Sequence, residues 1–242
     1  MSTNASLKES NSKRSALVIG STGLTAKNLI NALYDTTNYR TIYGLQRRST
    51  AISSHYTSVV CDFDHLTDYS MCFNVDDVFC CLGTTRKAAG TKEAFKRVDL
   101  DYVIACANMA AKQKVKNFVV ISAINANPDS MWFYNRVKGE MEQQLVIPFE
   151  HSETMLHICR PSLLIGQRAE RRIGEQLALY LVQSTKFIWR GLLERYQPIN
   201  ASQLANAMLK LTTTKFTQSV NIHENDELIQ LANTKAIDSS ND

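Results

Sequence analysis

Apolar and polar positions first become regular at Ala16, where the run ALVIG ends in glycine and leads into apolar positions at Leu24, Leu29, Ile30 and Leu33. A short apolar run closed by a turn predicts a buried strand, and recurrence at spacings of three or four predicts a helix with one apolar face. The alternation then repeats, with strands predicted at Thr41 to Leu45, Ser58 to Cys61, Val78 to Leu82, Phe118 to Ser122 and Leu156 to Cys159. The clearest helix runs from about Lys92 to Gln113, where Phe95, Val98, Tyr102, Cys106 and Met109 form one stripe. Strands alternating with helices imply parallel pairing through right-handed crossovers, hence an α/β doubly wound parallel sheet with helices on both faces.

After Pro161 the pattern loosens into an Arg/Glu-rich segment, a helix from about Gly174 to Gln183, a loop around Trp189 to Pro198 and a helix from about Ser202 to Leu211. This stretch is expected to form a small C-terminal elaboration, the lip of a substrate site. Residues 1–15 and 236–242 are polar and read as a disordered and a frayed tail, leaving 16–235 as one domain. The chain of 242 residues is 44% hydrophobic and 21% charged, enough to bury a sizeable core. Its net charge of +4 comes from scattered Lys and Arg, which argues against nucleic acid and suits a basic pocket for an anion. The six cysteines show no metal-ligand spacing, so buried free thiols and no metal are expected. No apolar run is long enough for a membrane span, and the N-terminus lacks a signal peptide. Glu9 and weak amphipathicity disfavour a transit peptide, so the expected location is cytoplasmic, as a monomer or homodimer.

Between the first strand and helix lies Gly20-Ser21-Thr22-Gly23-Leu24-Thr25-Ala26. In that context the glycines permit a tight turn and close approach of a pyrophosphate to the helix N-terminus, the arrangement of a Rossmann dinucleotide site. Where an NAD-selecting fold ends its second strand with an acid, this chain has Gln46, Arg47 and Arg48. Two guanidinium groups suit a 2′-phosphate, so NADPH or NADP is the expected cofactor. Asp62, beside Phe63, is placed either to accept from the adenine amino group or to cap its own loop. Leu82, Gly83 and Thr84 close the fourth strand against the cofactor.

Tyr134 and Lys138 are four apart on a predicted helix and follow a strand ending in Ser122. Carbonyl reduction needs a hydride and a proton, and a tyrosine can deliver the proton. An adjacent ammonium lowers the phenol pKa, so Lys138 is expected to tune Tyr134 and to hold the nicotinamide ribose, while Ser122 hydrogen-bonds the substrate oxygen.

The stretch Cys80-Cys81-Leu82-Gly83-Thr84-Thr85-Arg86, followed by Ala89-Gly90, Phe95 and Val98-Asp99-Leu100-Asp101-Tyr102, resembles a block of the Tat-interacting oxidoreductase-like group of atypical short-chain dehydrogenases. Tyr134 to Glu140 is similar to that group's YxxVKGE helix, Arg160-Pro161 to its RP turn, and Arg168 to Glu175 to its RxExRxGE segment. The resemblance spans most of residues 16 to 210. It implies NADPH binding, with Arg160 and Pro161 beside the cofactor, and a catalytic Ser122, Tyr134 and Lys138. Two departures stand out. Ala123 replaces the second of a pair of serines, and Asn125 stands where glycine is common, which is expected to alter the turn beside the nicotinamide. The leading expectation is an NADPH-dependent oxidoreductase of a small carbonyl or alcohol. The alternatives are a non-catalytic NADPH-binding regulator or protein-interaction module, and, more weakly, a nucleotide-sugar epimerase.

Overall fold

In the computed structural model, which describes residues 13–49, 53–165 and 191–234, the predicted alternation is built as a layered sheet. The strands are β1 (Arg14–Ile19), β2 (Tyr39–Gln46), β3 (Thr57–Val60), β4 (Asp77–Cys80), β5 (Asn117–Ile121), β6 (Met155–Arg160), β7 (Leu164–Ile165), β8 (Ile199–Asn200) and β9 (Val220–Glu224). Seven of them form one sheet in the order β3-β2-β1-β4-β5-β6-β9, and every pairing in it is parallel. Short β7 and β8 pair separately. The helices are α1 (Leu24–Asp35), α2 (Arg86–Ala89), α3 (Lys92–Lys96), α4 (Tyr102–Lys112), α5 (Phe133–Phe149), α6 (Ala201–Leu211) and α7 (Asn225–Asn233).

A parallel sheet covered on both faces needs apolar residues at successive positions of each strand. In β1, Leu17 and Ile19 face a core shared with Phe95, Val103, Val137 and Met141, whereas Ala16 and Val18 face Leu29, Leu33, Leu204 and Met208. Thus α4 and α5 cover one face, and α1 and α6 the other. Strand order reverses between β1 and β4, and in open α/β sheets ligands bind beyond the strand C-termini at that point. The opposite, N-terminal ends are tied by buried Asp77, which accepts from the Tyr39 hydroxyl at 2.7 Å and from Asn117 Nδ2 at 2.7 Å and pairs with Arg14.

Three departures from the expected elements have physical causes. The helix expected across Lys92 to Gln113 contains a π-helical segment at Arg97–Asp101. Its wider turn rotates the apolar stripe, so Asp99, Leu100 and Val103 are buried while Val98 and Tyr102 are only half-buried. β9 and α7 were not anticipated, because β9 is an edge strand whose VNIHE sequence mixes polar and apolar side chains. Asn125 adopts φ +58°, so the turn keeps the left-handed geometry of a glycine, which Asn tolerates. The expected helix from about Gly174 to Gln183, the Arg168 to Glu175 segment, Trp189 and almost all of both tails lie outside the described residues.

β6 and β9 also carry a buried histidine pair. His157 and His223 are 3.1 Å apart between Nδ1 and Nε2, and His223 Nδ1 is 2.7 Å from Glu227 Oε1. Among the described residues His157 Nε2 has no hydrogen-bond partner, and it is enclosed. Burial, followed by the neighbouring His223, pushes the His157 pKa down from 6.5 to about 3. The unfolded chain therefore binds the extra proton first, and stability from neutral His157 is complete above pH 6.5 and lost as pH falls toward 3. Urea midpoints measured between about pH 7 and about pH 4 should fall less steeply in His157→Gln than in wild type; parallel curves would remove His157 as the acid-sensitive group.

Candidate active site

The first helix begins where backbone geometry leaves little choice. Gly20 has φ +76°, and a Cβ added there would lie 3.0 Å from the Cys81 carbonyl oxygen, so the β1 turn presses against the end of β4. Gly23 is the N-cap of α1 and provides no side-chain cap, and the first turn holds no acid. The N–H groups at this N-terminus are therefore available to an anion, and Leu24, Thr25 and Ala26 line the adjoining cleft. Glycine backbone pressed against β4 beside a free helix N-terminus fits a dinucleotide pyrophosphate.

Ser21 is buried, and its hydroxyl donates to Gln46 Oε1 at 2.8 Å, tying the turn to the end of β2. Thr22 is exposed beside it. Arg47 and Arg48 follow Gln46, exposed and without a carboxylate partner among the described residues. Asp62 is a loop cap: its carboxylate accepts from the Asp64 N–H at 3.0 Å and meets His65 Nδ1 at 2.9 Å. That hydrogen bond to His65, then the one from the Asp64 N–H, holds the Asp62 pKa below the usual carboxylate range. Phe63 is buried, its ring 5.4 Å from Tyr102.

The cleft encloses about 730 Å³ and brings together Leu24, Leu82, Gly83, Thr84, Asp99, Ser122, Asn125, Tyr134, Lys138, Pro161 and Leu163. Tyr134, Lys138 and Glu142 follow one another at intervals of four along α5, hence on one face. Lys138 Nζ is 2.9 Å from Asp99 Oδ1, with both side chains buried. Asp99 Oδ2 in turn accepts from the Thr84 N–H at 2.8 Å, linking the π-helical segment to the chain after β4. Burial works against the Lys138 charge, but Asp99 foremost, then Tyr134, keeps the ammonium pKa above its ordinary value.

The structure gives partners to three of the expected site residues. Lys138 does pull the Tyr134 pKa down, while desolvation of the partly exposed ring foremost, and Asp99 after it, push it up, with a net upward direction. Ser122 does not offer its proton to the cleft, because its hydroxyl donates to Glu142 Oε1. Glu142 is buried and also pairs with Arg160, whose Nε lies 3.0 Å from Oε1 and whose Nη1 reaches Glu224 at 2.9 Å. Arg160, assigned to the cofactor by resemblance, thus has its guanidinium committed to two acids behind the cleft wall, and the hydrogen bond to Glu142 raises its pKa. Pro161 does face the cleft.

Asp99 and Glu142 were not singled out from the sequence, although each had a signal. Asp99 is an acid on an otherwise apolar helix stripe, and Glu142 continues the four-residue spacing from Tyr134 and Lys138.

The HIM1 family model matches residues 58–193. Protein HTATIP2 of Rattus norvegicus is 34% identical over 181 residues, covering 73% of each chain. The mitochondrial protein FMP52 of Eremothecium gossypii is 30% identical over 224 residues, covering 89% of this chain and 96% of the relative. A solved UDP-glucuronic acid 4-epimerase from Bacillus cereus, in complex with UDP-glucuronic acid and NAD, has a TM-score of 0.68 at 14% identity and covers 87% of this chain and 77% of that one. At such identity the likeness is one of fold: a Rossmann α/β sheet. The expected cytoplasmic location is overturned, since FMP52 proteins of Eremothecium gossypii, Debaryomyces hansenii and Candida albicans are all named mitochondrial. Among the described residues no helix is long and apolar enough to cross a membrane.

The Ser122–Glu142–Arg160 arrangement sets an order of costs. Removing the buried acid leaves the partly buried guanidinium with Glu224 as its remaining partner and the Ser122 hydroxyl without its acceptor, so Glu142→Leu should lose about 2 kcal/mol or more of unfolding free energy. Ser122→Ala should lose only about 1 kcal/mol. Denaturant titration measures both, and equal losses would contradict this order.

Proposed function

The chain belongs to the HIM1 family, and we propose that it is an NADPH-dependent oxidoreductase of the short-chain dehydrogenase type, acting on a small carbonyl or alcohol in mitochondria. The observation that carries this is the meeting of the uncapped α1 N-terminus with Tyr134 and Lys138 in one cleft. Gly20, Gly23 and the first turn of α1 hold the pyrophosphate, and Arg47 and Arg48 the 2′-phosphate. Leu82, Gly83 and Thr84 back the nicotinamide half. Lys138 has one N–H direction on Asp99, leaving two for ribose hydroxyls. When bound, the reduced nicotinamide supplies a hydride. Tyr134 exchanges the proton with the substrate oxygen, and Leu163, Leu164 and Ile165 border the substrate end. Mitochondrial location is carried over from the names of the FMP52 relatives.

A second reading, an NADPH-binding regulator without turnover, is favoured by the commitment of the Ser122 hydroxyl to Glu142. The two readings share the cofactor and differ in chemistry. Thermal-shift titration should therefore show stabilisation by NADPH and NADP well beyond that by NADH and NAD. Arg47→Gln with Arg48→Gln should erase about tenfold or more of that preference in Kd. Equal stabilisation by NADH and NADPH in wild type would remove the 2′-phosphate assignment. Across a carbonyl panel, NADPH consumption should fall at least about a hundredfold in Tyr134→Phe; no consumption by wild type selects the regulator.

A further inference from the structure

The corner of the cleft that carries Tyr134 gathers positive charge that the roles above do not use. Phe133, the first residue of α5, is approached by three cations: Arg86 lies 5.2 Å, Lys92 5.7 Å and Arg136 5.9 Å from its ring centroid. They come from three elements, since Arg86 opens α2, Lys92 opens α3 and Arg136 belongs to α5. Among the described residues none of the three forms an ion pair, whereas nearby Lys96 is matched by Glu140 at 2.8 Å. Arg136 donates to the Ser130 carbonyl at 2.8 Å, a neutral partner. The N-terminus of α5 adds to the same field. Its N-cap, Trp132, makes no side-chain hydrogen bond, and its first turn holds no acid, so the dipole and the first N–H groups are uncompensated.

We propose that this corner binds an anionic group, a carboxylate or a phosphate, carried by the substrate, which makes the substrate an acidic carbonyl compound or its alcohol. The inference rests on the oxidoreductase reading above and narrows its substrate class. A ring face attracts a cation, but three cations drawn to one ring repel each other, and an anion among them turns that repulsion into attraction. Two guanidinium groups and an ammonium also suit the oxygens of such an anion by geometry. The acids on the same segments, Glu93 and Asp129, are exposed and pair with none of the three among the described residues. Inside the cleft, Lys138 and Asp99 offset one another, so the cations dominate the field at its mouth.

The corner is mechanically joined to the reacting end. Phe133 packs on Phe95 at 5.6 Å, and Phe95 meets the Tyr134 ring edge-on at 5.9 Å, so one aromatic framework holds the cations and the phenol. Thr84 and Thr85 line the cleft directly before Arg86, and Asn135 does so directly before Arg136. The cations therefore continue the cleft lining outward from Tyr134. The cofactor's phosphates have separate places in the reading above, at the α1 N-terminus and at Arg47 and Arg48.

At saturating NADPH, kcat/KM for succinic semialdehyde should exceed that for butanal, the same chain without its carboxylate, by about tenfold or more. Glyceraldehyde phosphate against glyceraldehyde makes the same comparison for phosphate, and the larger of the two preferences identifies the anion. The preference should shrink as salt is raised toward about 1 M and fall to about unity in Arg86→Gln with Lys92→Gln. Lys112→Gln with Lys114→Gln removes equal charge at the opposite end of the sheet and should leave the preference unchanged. Equal kcat/KM within both pairs overturns the proposal, as does a preference that survives the Arg86 and Lys92 substitutions. A raised NADPH Kd in that double variant, with the preference intact, would instead assign these cations to the cofactor. If wild type turns over no aldehyde, the oxidoreductase reading fails and calorimetry still decides the anion site. Succinate or inorganic phosphate should then bind the NADP-loaded protein about tenfold more weakly after the double substitution, and no binding or unchanged binding overturns the site.

Discussion

Lys138 is an ammonium held almost wholly away from water, and a buried charge must be paired or it costs several kcal/mol. Much of the cleft is arranged around that requirement. The counter-charge comes from Asp99, which faces inward because the helix leading to α4 takes a π-helical segment. Asp99 in turn needs a second partner for its other oxygen, and the chain leaving β4 provides the Thr84 N–H. The pair thereby joins α5, the π-helical segment and the β4 turn into one wall, on which Tyr134 is displayed.

Behind this wall lies a second set of buried charges with another task. Glu142 receives Arg160 and the Ser122 hydroxyl, and Arg160 extends to Glu224 at the end of edge strand β9. This network fixes the ends of β5, β6 and β9 relative to α5, and it draws into the scaffold a serine whose position suggests catalysis. Asp77 does comparable work at the other end of the sheet, joining β1, β2, β4 and β5 through Arg14, Tyr39 and Asn117. The central strands are thus largely apolar between ends that charge and hydrogen bonds pin. An arrangement of this kind leaves the switch point between β1 and β4 open for a ligand.

The layered parallel sheet was legible in the chain because it rests on local patterns. Apolar runs closed by turns located five strands after β1 to within about two residues, and Gly20 to Ala26 located the glycine turn between β1 and α1. β9 escaped because an edge strand is apolar only where its neighbour covers it. The rotation of the α3–α4 stripe escaped because a π turn has the same composition as an α turn.

For the site, the sequence alone determined which chemical groups are present: a glycine turn, two guanidiniums, a serine, a tyrosine and a lysine. Tertiary structure decided their partners. The partner of the buried Lys138 ammonium is a carboxylate thirty-nine positions away, counted from Asp99 to Lys138. Whether Ser122 faces substrate or scaffold depends on Glu142 and Arg160. Electrostatic and hydrogen-bond energies depend on distance and burial in space, and neither is a function of separation along the chain.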